Sequence, residues 1–140
     1  MESSFTKDEL RIAIQQRIIK AEEDWKAVTI LIDKEDFPLG IVCFHCQQYA
    51  EKLLKGFLTL QGIEVPKTHN LSQLIEMAKP FELALASLID KSDKMTKHAV
   101  DSRHPGDWYE VSEKETREMI ELAKEFASIL IPKINEFMNS

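Results

Sequence analysis

Between residues 42 and 60 two apolar stripes run side by side at spacings of three, four and seven. One is Val42, Cys46, Tyr49, Leu53, Phe57 and Leu60; the other is Cys43, Ala50, Leu54 and Leu58. That periodicity is helical, and a helix with so wide an apolar face must be covered from several directions. It predicts a central helix, with part of its face available as a subunit contact. Four glycines and five prolines in 140 residues are too few for the many turns of an all-β domain. At this length a chain buries roughly two-thirds of its unfolded surface without a disulfide or metal staple, so one domain is expected over residues 1–140.

Helices flank this segment on both sides. Thr6 and Glu9 form a capping-box pattern, followed by the stripe Leu10, Ile14, Ile18, Ala21, Trp25, Val28 and Ile32. Asp36 reads as the cap of the second helix, with Pro38 in its first turn. That helix is expected to reach Gln61 and stop at Gly62, which tolerates a left-handed conformation. Asn70 with Gln73 opens a short helix through Leu71, Leu74, Ile75 and Ala78, which Pro80 interrupts. A fourth helix is expected over 81–97, with Phe81, Leu85, Leu88, Ile89 and Met95 inward. Residues 98–111 form a long loop. Ser112 and Glu115 then cap a final helix whose stripe is Met119, Leu122, Ala123, Phe126, Leu130, Ile134 and Phe137, with a kink expected at Pro132. The expected fold is all-α, an antiparallel up-and-down bundle of four longer helices plus a short helix.

Charge restricts the partners. Eighteen Lys and Arg stand against 24 Asp and Glu, a net charge of −6, which argues against broad binding of nucleic acid through a basic face. A local basic pocket is still compatible. The first eight residues lack the apolar core of a signal peptide, and no apolar run approaches the ~18 residues of a membrane span. The expected address is the cytoplasm, with no membrane partner.

Five groups of residues carry chemistry. Cys43 and Cys46 read as C-x-x-C but fall on buried stripes inside a helix, which points to core thiols rather than a redox pair or zinc ligands. His98, Asp101, His104 and Asp107 recur every three residues, yet Pro105-Gly106 keeps them from sharing a helix face, and no metal is assigned. On the second helix, His45, Gln48, Lys52, Lys55 and Thr59 line up as a polar strip, either plainly solvated or one wall of a polar cleft. In the second case His45 and Lys52 offer donors to phosphate or ribose, while Glu51 and Lys55 make an i,i+4 pair. Lys67-Thr68-His69-Asn70 lies where a helix begins, either an ordinary capped turn or an anion site. Arg103-His104-Pro105-Gly106-Asp107-Trp108-Tyr109 combines a cation, an imidazole and two aromatics that stack on a base or plug the bundle end.

His45-Cys46-Gln47-Gln48-Tyr49-Ala50-Glu51-Lys52-Leu53-Leu54-Lys55-Gly56, then Gly62-Ile63-Glu64-Val65-Pro66-Lys67-Thr68-His69-Asn70-Leu71, resembles the HEPN (higher eukaryotes and prokaryotes nucleotide-binding) domain. Its pattern is an H-x-Q-Q-x-A-E-K-x-L-K helix, a P-x-T-H-D/N-L connector and an S/T-R-Y-P loop. Here that loop reads Ser102-Arg103-His104-Pro105, with His in place of Tyr. The resemblance implies an all-α bundle, a homodimer, and a minimal nucleotidyltransferase as the partner in a toxin–antitoxin-like pair. It implies no cofactor. Many members are metal-independent ribonucleases that use an Arg, four to six intervening residues, then a His. None of Arg11, Arg17, Arg103 and Arg117 is followed by a His at that distance, so the expected acid–base group is missing. The chain is expected to bind a nucleotide or RNA through His45, Gln48, Lys52, Lys67, His69, Arg103 and His104. The alternatives are a ribonuclease with an altered catalytic pair, using His104 or His69, and a purely structural oligomerisation module.

Overall fold

The computed structural model of the chain describes residues 5–99 and 110–140. Its elements are α1 (Lys7–Leu31), α2 (Leu39–Leu60), α3 (Leu71–Ala78), a 3-10 helix (Leu83–Leu88), α4 (Ile89–Ala99) and α5 (Glu113–Met138). No strand occurs among the described residues.

Both capping boxes form. The Thr6 hydroxyl accepts from the Glu9 amide at 3.2 Å, and the Ser112 hydroxyl accepts from the Glu115 amide at 3.0 Å. In each, the glutamate carboxylate accepts from the cap residue's amide in return, so two otherwise unpaired amides are satisfied at once. Asn70 caps α3 by accepting from the Gln73 amide at 3.1 Å. At the end of α2, Ile63 donates to the Leu58 carbonyl and Gly62 to the Thr59 carbonyl. That double closure turns on Gly62 at φ 76°, a conformation costly for any residue with a Cβ.

Three local expectations change. Asp36 does not cap α2; Pro38 does, and its carbonyl accepts from the Val42 amide at 3.1 Å. Proline disfavours the helical conformation in the residue before it, so the helix cannot begin at Phe37. Phe37 instead turns inward and is buried, with the Arg117 guanidinium 5.6 Å from its ring centre. The stretch read as one helix over 81–97 is divided between the 3-10 helix and α4. Leu85 and Leu88 are three apart, so a three-residue turn points both into the core. Phe81, expected inward, is exposed in the turn after Pro80. α5 runs through Pro132 as one helix.

α2 packs against α1, α3, α4 and α5. Both stripes foreseen on it are buried, with Leu60 partly covered at its end. The α5 stripe meets it through Met119, Leu122, Ala123, Phe126, Leu130 and Ile134. Ile14, Ala21 and Val28 cover it from α1, and the Trp25 ring stacks on Tyr49 with centroids 5.0 Å apart. Each fully buried Leu, Ile or Phe side chain contributes roughly 1.5–3 kcal/mol, so the helix that all the others share dominates the stability of the whole.

Candidate functional site: the polar seam of the central helix

The third face of α2 is polar, and its side chains are neither solvated singly nor free. Asp24, on α1, is buried with its side chain 9% exposed. Its Oδ1 lies 2.8 Å from His45 Nδ1 and its Oδ2 2.5 Å from Lys52 Nζ. A carboxylate has no proton to give, so the contact places the N–H of His45 on Nδ1 and leaves Nε2 out of it. His45 and Lys52 are each about a quarter exposed, at 28% and 27%. They bridge the buried acid to solvent.

One turn along, the pattern repeats. Glu51 is buried on α2; its Oε1 is 2.9 Å from His69 Nδ1 and its Oε2 accepts from Lys55 Nζ at 3.1 Å. The expected Glu51–Lys55 pair is present, but as part of something larger. Gln47, fully buried, donates from Nε2 to Glu51 Oε1 at 3.1 Å and to the His69 carbonyl at 2.9 Å. Gln48 donates to Gln47 Oε1 at 2.7 Å. Gln48 lies three residues after His45 and four before Lys52, on the same side of the helix. Arg17 of α1 is half-buried nearby. Burial lowers its guanidinium from the ordinary value, and the Glu51 charge pulls the other way.

Four of the side chains singled out in the sequence fall into two groups: His45 and Lys52 on Asp24, and Gln48 and His69 linked through Gln47 and Glu51. Lys67 is exposed on the connector, two residues before His69. Arg103 and His104 lie outside the described residues, as do Trp108 and Tyr109 of the aromatic loop. The sequence reading passed over Asp24, Gln47 and Arg17. Two of them carried a signal. Asp24 sits three residues after Ala21 and four before Val28, on the apolar stripe of α1. Gln47 fills the gap between Cys43 and Ala50 in the second stripe of α2. A polar residue standing in an apolar stripe is buried by its neighbours and requires a partner.

The remaining candidates behave as core or surface groups. Burial raises the Cys43 thiol, and raises Cys46 further, with Cys43 adding to the effect; neither is a thiolate nucleophile. Of the set at intervals of three, His98 alone lies among the described residues; it belongs to α4, which runs past the expected loop start to Ala99, and is buried with Nε2 3.2 Å from Glu115. Among the described residues no three His, Cys, Asp or Glu side chains converge as metal ligands. No helix there is long and apolar enough to cross a membrane.

The chain is a small all-α domain built round one central helix that also carries a polar face. The chain belongs to the HEPN family: the HEPN domain matches residues 14–134. Membership supports a role connected with nucleotides or RNA at the level of the family, whose domains often dimerise. Searches among curated proteins and among solved structures gave no match.

Proposed function

We propose that this HEPN chain binds a nucleotide or RNA at the α1–α2 seam, as a cytoplasmic accessory partner of a minimal nucleotidyltransferase in a toxin–antitoxin-like pair. It acts as a homodimer of one domain per chain. His45, Gln48 and Lys52 form the floor of the site, and Lys67 and His69 from the connector its rim; Arg103 and His104, outside the described residues, are included as further ligands on the strength of the sequence alone.

The supporting observation is the double arrangement of Asp24 and Glu51, each beneath one lysine and one histidine. Both carboxylates are buried and His69 alone among their partners is well exposed, and ion pairs on buried acids stabilise a fold less than well-packed apolar side chains of similar size would. Their presence on the most buried helix therefore favours a ligand over stability alone. Ammonium and imidazole groups fixed in orientation by carboxylates are suited to phosphate oxygens.

Calorimetric titration with nucleoside triphosphates and with a short RNA tests the site, using the unaltered protein beside Lys52→Ala and Arg103→Ala. Binding that weakens tenfold or more in both variants is expected; equal weak binding by all three rejects the site. Co-expression with the product of the neighbouring reading frame, expected to be a minimal nucleotidyltransferase, followed by affinity capture and sedimentation, tests the partnership and the dimer. Separate monomeric species would reject both.

A further inference from the structure

We infer that Asp24 and Glu51 act as internal competitors that set a charge threshold, so that the seam accepts contiguous phosphates and rejects a single one. The inference rests on the seam being the anion site, and it assigns the specificity to residues outside the expected ligand set.

Asp24 occupies the place an anion would take. Each of its two oxygens is held by a different cation or imidazole, His45 Nδ1 at 2.8 Å and Lys52 Nζ at 2.5 Å. Glu51 does the same for His69 and Lys55. A ligand with one small anionic group competes with a carboxylate already seated and desolvated. It gains little, because drawing the ammonium outward leaves a buried carboxylate less well compensated. A di- or triphosphate differs in two ways. It carries more charge on a short chain, and Lys52 and Lys55 are three residues apart on the helix, hence neighbours on its surface. One polyphosphate can engage both while each keeps its carboxylate. An ammonium has three N–H donors, so Lys52 can bind its acid below and an oxygen above. The Nε2 of His45, which takes no part in the Asp24 contact, is a further donor when protonated.

Removing the competing charge without changing the shape should abolish the discrimination. Asp24→Asn retains an oxygen for Lys52 and raises the local charge by one. ATP and AMP are titrated calorimetrically, at low and constant ionic strength, into the unaltered protein, Asp24→Asn, Glu51→Gln and Lys52→Ala, with circular dichroism to establish that each is folded. The unaltered protein binds ATP well above AMP. In Asp24→Asn and Glu51→Gln, AMP binding rises by about tenfold, the size of one charge change beside a partly screened site, and the ATP-to-AMP ratio falls. Unchanged or weaker AMP binding in whichever of the two is folded overturns the inference. If ATP binding is lost in Lys52→Ala at the same time, the seam stands and only the threshold fails. Equal ATP binding by Lys52→Ala and the unaltered protein, or no binding by any of the four, rejects seam and threshold together.

Discussion

His98 shows how burial governs a single residue's chemistry. It is enclosed beside α5, and burial holds its imidazole below the ordinary value; Lys97 and Lys94 act in the same direction, while Glu115 and Glu118 oppose them. An imidazole lowered in the folded state takes up its proton more readily once unfolded. Its contribution is therefore present above the ordinary histidine range and is lost as pH falls through that range toward the folded value. Urea unfolding at about pH 7.5 and about pH 5.5 is expected to show a smaller loss of stability for His98→Gln than for the unaltered protein. Equal losses would remove His98 from the account. The two thiols supply a second residue-scale expectation. Cys43 and Cys46 are both fully buried, and burial disfavours the thiolate of each. A disulfide reagent at pH near 8 should label neither in the native protein and both in denaturant; rapid native labelling would contradict the packing of α2.

At the scale of the element, two glycines of one segment have opposite expectations. Gly56 lies in the interior of α2, and a methyl group there would sit 3.7 Å from Ile18 Cδ1 and 3.9 Å from Ile134 Cδ1, ordinary contact distances. Gly56→Ala should stabilise the protein by up to about 1 kcal/mol, through helix propensity. Gly62 closes the same helix at φ 76°, and Gly62→Ala should cost about 1 kcal/mol or more. Chemical denaturation of both variants checks the signs, and a reversal of either would mean that the α1–α2–α5 crossing or the turn is not as described. The ends of α1, α3 and α5 were legible because a cap is a contact between residues three apart. The division of residues 81–97 was not, because Leu85 and Leu88 suit an α-helix and a 3-10 helix equally until the core on one side selects between them.

Across the whole molecule, stability passes through α2, against which α1, α3, α4 and α5 all pack. Phe126 on α5 is fully buried, and Phe126→Ala should destabilise by about 3–5 kcal/mol. Because one core serves every helix, the loss should appear as an earlier but still single transition, with far-ultraviolet and near-ultraviolet dichroism coinciding. Two separated transitions would show that α5 unfolds on its own.

The amino-acid sequence alone determined the helical class, the central place of α2, the polar strip along it and the HEPN resemblance. All of these follow from periodicity, caps and short motifs, which are interactions between near neighbours in the chain. Tertiary structure alone decided what the strip is connected to. Asp24 meets His45 and Lys52 across 21 and 28 residues, and Glu51 meets His69 across 18. Those pairs exist because α1 crosses α2 at one angle and the connector returns over the next turn. Spacing along one helix aligns cations but says nothing about which carboxylate the neighbouring segment places beneath them.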